Sequence, residues 1–142
     1  MVQSSGNLET ILVVDDTPAV LTLVVQILEE ANFNVLEARS GAEAISVASK
    51  YDGKIHLLLS DIQMASMSGP ELGETLKEQR PDLCVMLMSG MAGGSLLVLN
   101  YGWAFIEKPF VKDKLLQMVD VVLHSPDKSQ GTKQYDTRGD IL

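Results

Sequence analysis

The chain has 142 residues, enough for one domain with a packed core and too few for two ordinary ones. A hydrophobic content of 46% excludes a disordered chain, and a net charge of −8 disfavours direct nucleic-acid binding, since an acidic surface repels phosphates. No apolar stretch is long enough to span a bilayer, and the first seven residues lack the basic and apolar regions of a signal peptide. From Ser125 onward three basic and three acidic residues cancel, so the whole negative excess lies in residues 1–124. The lone Cys84 has no partner for a disulfide within the chain, which favours a reducing compartment and a cytoplasmic location.

Glu9 to Val14 predicts a buried strand: short, β-branched and apolar on both faces, as parallel strands tend to be. It runs into two acids, Asp15 and Asp16. Asp16-Thr17-Pro18 reads as a helix start, with an acid or hydroxyl as cap and proline in the first turn. Leu21, Val24, Val25 and Leu28 then recur at helical spacing, to about Ala31. Phe33 to Glu37 is a second strand, and Ser40 caps a helix from Gly41 to about Lys50, with Ala44, Ile45 and Ala48 inward. After the Asp52-Gly53 turn, Ile55 to Ser60 is the third strand and Asp61 ends it. Met64 to Gly69 reads as a loop, Pro70 opens a helix with Leu72 and Leu76 facing in, and Pro81 stops it.

Leu83 to Met88 is the fourth strand, ending at Ser89 and Gly90. A Gly-rich loop covers Gly90 to Gly94, and Ser95 caps a short helix over Leu96 to Asn100. Trp103 to Ile106 is the fifth strand, followed past Glu107 by Lys108 and Pro109. Val111 to about Leu123 is the last helix, striped by Leu115, Met118, Val119 and Val122. The expected organisation is an N-terminal extension over residues 1–8, one domain over 9–124 and a polar, aperiodic, mobile tail over 125–142.

Strand and helix alternate five times with short connections, which predicts a doubly wound α/β domain with a parallel sheet between two helix layers. Ligands of such sheets bind at the carboxyl ends of the strands. Three acids, a hydroxyl and an amine converge there. Three carboxylates cannot all ionise comfortably without a counter-ion, and a hard divalent cation such as Mg²⁺ supplies one through oxygen ligands. The expected direct ligands are Asp16 and Asp61, with Asp15 acting directly or through water and the Gln63 backbone carbonyl adding an oxygen. An Asp15-Asp16 pair alone is more often a helix cap, and Ser89 or Lys108 alone is more often a turn or surface residue. Asp61 is the candidate nucleophile, because a carboxylate can form an acyl phosphate beside a metal. Ser89 can donate to a phosphoryl oxygen, Lys108 can pair with one, and a cis bond before Pro109 is left open.

Taken together, these residues resemble the receiver domain of two-component response regulators, over residues 9–124. The resemblance implies a flavodoxin-like, five-stranded (βα)5 sheet of order 2-1-3-4-5, with a short or irregular fourth helix at 96–100. It implies Mg²⁺ at Asp15 and Asp16, phosphorylation of Asp61 within Asp61-Ile-Gln-Met-Ala-Ser-Met-Ser-Gly69, and Ser89 and Lys108 as phosphoryl-binding partners. Ser89 and Phe105 are the implied conformational switch. The implied phosphoryl donor is a histidine kinase or a histidine phosphotransfer protein. An output partner would meet the face made by the helix at 96–100, the fifth strand and the last helix.

Three departures from the family pattern stand out: Ala65 replaces a common proline, Phe105 a common tyrosine and Ser89 a common threonine. Gln63 and Met91 would flank the path of hydrolytic water, and the apolar Met91 predicts slow self-dephosphorylation. Leu87-Met-Ser-Gly90 and Phe105-Ile-Glu-Lys-Pro-Phe110 look much like the receivers of hybrid kinases. An aspartate-nucleophile phosphatase of the haloacid dehalogenase type is disfavoured. Its motif needs a second Asp two residues after the first, where Thr17 or Pro18 stands. A receiver-like interaction module without phosphorylation is the other alternative.

Overall fold

The computed structural model describes residues 8–90 and 103–124. The expectations for residues 1–7, Met91, the helix at 96–100 and the tail from 125 fall outside the described residues. The element order is β1 (Thr10–Val14), α1 (Pro18–Glu30), β2 (Asn34–Ala38), α2 (Gly41–Lys50), β3 (Leu57–Asp61), α3 (Gly69–Gln79), β4 (Cys84–Ser89), β5 (Ala104–Glu107) and α4 (Lys112–His124). The five strands form one parallel sheet of order β2-β1-β3-β4-β5, as expected.

Side chains alternate across each strand, so the apolar runs feed two cores. Ile11, Val13, Leu57, Leu59, Met86, Met88 and Ile106 pack with Leu21, Val24 and Leu28 of α1 and with Leu115 and Val119 of α4. Leu12, Val14, Leu58, Val85 and Leu87 pack with Ala44 and Ala48 of α2 and with Leu72 and Leu76 of α3. Each fully buried leucine contributes about 2 kcal/mol relative to exposure. The resulting frame holds the strand ends rigidly in register.

Element boundaries differ from the sequence expectation by one or two residues, and two of the shifts have a local reason. The third strand begins at Leu57 rather than Ile55, because the Thr10 N–H is taken by the His56 ring at Nδ1 (3.0 Å). Thr17 is the N-cap of α1 but makes no side-chain cap bond. Instead the buried Asp15 carboxylate accepts from the Thr17 N–H at 2.9 Å. The helix α3 begins at Gly69, inside the expected loop, because Ser68 and Glu71 form a reciprocal capping box. After α1 the chain turns through Asn32 at φ 74°, a left-handed conformation that asparagine tolerates. The Lys108–Pro109 bond is cis. Along α4 the buried stripe is Leu115, Val119 and Leu123, with Met118 and Val122 at its margin.

Candidate functional site

Strand order places the switch of winding direction between β1 and β3. Val14 is in register with Ser60, so Asp15 and Asp61 leave the sheet side by side. Asp61 is in register with Met88, which puts Ser89 one residue further along β4. Ser89 is in register with Glu107, and its carbonyl accepts from the Lys108 N–H at 2.8 Å. The strand ends thus bring Asp15, Asp61, Ser89 and Lys108 to one edge of the sheet.

The Lys108 ammonium donates to Asp15 Oδ2 at 2.9 Å and lies 3.5 Å from Asp61 Oδ1. The Asp15 side chain is fully buried, while those of Lys108 and Asp61 are 18% and 13% exposed. Asp16 is exposed at the rim. Oxygens of Asp15, Asp16 and Asp61 all lie within 4.8 Å of one another, an arrangement that can hold a metal ion. Three carboxylates against one ammonium leave an excess of negative charge. All the donors are hard oxygens, so the set fits a hard divalent cation.

Burial holds the Asp61 carboxyl above its ordinary value of 3.8, with the Asp15 and Asp16 charges adding to the rise and Lys108 opposing it. Ser89 is 3% exposed at the end of β4. Phe105 is half-buried opposite Leu87 and packs against the core shared with α2 and α3. Gln63 is exposed two residues beyond Asp61, on the loop to α3.

Sequence reasoning passed over two residues next to Asp61. The hydroxyl of the fully buried Ser60 donates to the Asp61 carbonyl at 2.9 Å. Gly69 lies against that same carbonyl, where a Cβ would collide with it. The signal for Ser60 was present, as a polar residue inside an otherwise apolar run. The signal for the α3 start was the Ser68-x-x-Glu71 spacing.

The family model of the response regulator receiver domain matches residues 11–120. The chain is 31% identical over 121 residues to the sensor kinase CckA of Brucella abortus (strain 2308), covering 83% of this chain and 13% of that protein. It is 30% identical over 136 residues to the cell cycle response regulator CtrA of Brucella ovis, covering 93% of this chain and 56% of that protein. The chain therefore spans less than two thirds of these relatives. A receiver domain protein (CheY-like) from Methanospirillum hungatei JF-1 superposes with a TM-score of 0.72 at 33% identity, over 82% of this chain and 94% of that one. With its sheet order, its acidic strand ends and this match over most of its length, the chain belongs to the response regulator receiver domain family of two-component signalling.

Proposed function

We propose that the chain is a phosphoacceptor in a two-component or phosphorelay pathway, with Asp61 as the residue modified. The observation that carries this reading is the convergence of Asp15, Asp16 and the Lys108 ammonium on the Asp61 carboxylate. An oxygen of Asp61 attacks the phosphorus of a donor phosphohistidine. An O–P bond forms, the P–N bond breaks, and the electron pair returns to the donor's imidazole nitrogen. Asp15, Asp16, Asp61 and the Gln63 backbone carbonyl would hold a Mg²⁺ ion, which would supply positive charge to offset that on the phosphoryl oxygens. Lys108, already 3.5 Å from Asp61, pairs with one of those oxygens. The Ser89 hydroxyl donates to another. Movement of Ser89 toward the phosphoryl group vacates space for the Phe105 ring, and the signal is this population shift between two packings.

The donor is a histidine kinase or a histidine phosphotransfer protein, acting in the cytoplasm. The output partner reads the face that includes β5 and α4. Water later hydrolyses the acyl phosphate past Gln63. The chain serves as a signalling module whose only chemistry is its own phosphorylation and dephosphorylation. Among the described residues no helix is long and apolar enough to cross a membrane.

Incubation with acetyl phosphate and Mg²⁺, followed by mass spectrometry, tests the reading. The wild-type chain gains one phosphoryl group and Asp61→Asn gains none. Labelling that persists in Asp61→Asn moves the site elsewhere. A wild-type chain that never labels leaves the interaction-module reading standing.

A further inference from the structure

We propose that Ser60 is a positioning residue for Asp61, an inference that rests on reading Asp61 as the phosphoacceptor. Ser60 is 0% exposed, one of four buried polar residues among those described, with Thr10, Asp15 and Ser89. Its strand neighbours in register are Val14 and Leu87, both fully buried and apolar. A hydroxyl at such a place is unfavourable compared with a methyl group unless it makes a hydrogen bond. The bond it makes is to the main-chain carbonyl of the next residue, Asp61, at 2.9 Å.

That carbonyl sits where β3 gives way to the loop. The Gly69 backbone is packed against it so closely that no side chain fits between them. The N–H of the same peptide, on Ile62, donates to the Met88 carbonyl at 2.9 Å, and one peptide further on the Gly69 N–H donates to the Ile62 carbonyl at 2.8 Å. The end of β4 and Ser60 thus hold the two polar groups of the Asp61–Ile62 peptide, and the first residue of α3 holds the peptide after it. Fixing that peptide plane fixes the Cα–Cβ direction of Asp61, and with it the approach of the carboxylate to Lys108, Asp15 and Asp16. A displacement of a reacting group by about 1 Å can cost about a hundredfold in rate. The hydrogen bond that Ser60 makes is to the Asp61 main chain and not to a carboxylate, so it acts through Asp61.

The test uses the full chain with Ser60→Ala and Ser60→Thr. Two quantities are read: the initial rate of labelling by acetyl phosphate with saturating Mg²⁺, and the ¹³C shift of the Asp61 carbonyl in the unmodified protein. Ser60→Ala, folded like wild type, should label about tenfold more slowly, the scale of one lost positioning contact. Its Asp61 carbonyl resonance should move upfield. Ser60→Thr keeps the hydroxyl and should restore most of the rate and the shift. An alanine variant that labels at the wild-type rate, or an unmoved carbonyl resonance, overturns the proposal. So does a folded threonine variant as slow as alanine. If the extra methyl of threonine prevents folding, the rate and carbonyl shift of the alanine variant decide alone. Absence of labelling in the wild-type chain overturns the phosphoacceptor reading and this one with it. A labelled wild type with an unimpaired alanine variant overturns only the role of Ser60.

Discussion

At the scale of single residues, the site is a set of charges held closer together than water would allow. Burial raises the Asp61 carboxyl above its ordinary 3.8, chiefly by desolvation. The folded chain therefore binds that proton more tightly than the unfolded chain. Stability is full below 3.8 and falls as pH rises through the raised folded value. Asp61→Asn removes the charge and the loss. We expect the metal-free variant to melt above wild type at pH 7, with the gap closing as pH falls below the ordinary carboxylate value. Equal melting temperatures at pH 7 would contradict the assignment. Lys108 has the opposite role, since it is the ammonium paired with the fully buried Asp15. Lys108→Met leaves that carboxylate without its cation and should cost about 2 kcal/mol in metal-free urea unfolding, discounted for the partial exposure of Lys108. Saturating Mg²⁺ should recover part of this loss, and a loss indifferent to Mg²⁺ would argue against a shared charge site.

At the scale of elements, the loops at the opposite end of the sheet are stitched by side chains bonded to main-chain carbonyls. Arg80, the C-cap of α3, donates to the carbonyls of Ala48, Tyr51 and Gly53, each at 2.9 Å. Two of these lie at the end of α2, where a cation also meets the negative end of the helix dipole. Arg80→Ala should therefore lower stability by about 2 kcal/mol in urea unfolding while leaving phosphoacceptance intact. An unchanged midpoint would mean that water replaces the guanidinium without loss. The elements themselves were legible because buried parallel strands leave unbroken apolar runs such as Ile11 to Val14 and Leu57 to Leu59. The acids at their ends were legible because an apolar run that stops at Asp15-Asp16 or Asp61 announces a strand end. The packing of Gly69 on the Asp61 carbonyl was not legible, since it depends on where α3 docks after the loop closes. The Lys108 to Asp15 ion pair, between residues 93 positions apart, was likewise set by register across three strand pairs. The His56 contact with Thr10 escaped notice for the same reason: a ring replaced a backbone partner.

At the scale of the whole molecule, the first strand and the last helix are clipped together by His124. Its ring lies 2.7 Å from Asp120 on α4 and 2.9 Å from Glu9 just before β1. The hydrogen bond to Asp120 is the main cause of a raised imidazole pKa, and Glu9 adds to it. Stability from this clip is full below the ordinary 6.5 and is lost as pH rises through the raised folded value. A His124→Ala chain should lose that pH dependence, as thermal melts across the window will show. On the proposed mechanism the signal would travel from Asp61 across the sheet edge to β5, where Phe105 meets the core and Trp103, just before the strand, packs on Gly73 of α3. A Cβ on that glycine would sit 2.8 Å from the Trp103 ring. The most direct test of a Mg²⁺-dependent phosphoacceptor coupled to this edge follows Trp103 fluorescence and the Phe105 ring resonances. Mg²⁺ is added first and then beryllofluoride, a mimic of the acyl phosphate. The account predicts a saturable response to beryllofluoride that requires Mg²⁺ and vanishes in Asp61→Asn. A Mg²⁺ response with no beryllofluoride response, or one that survives in Asp61→Asn, would contradict it.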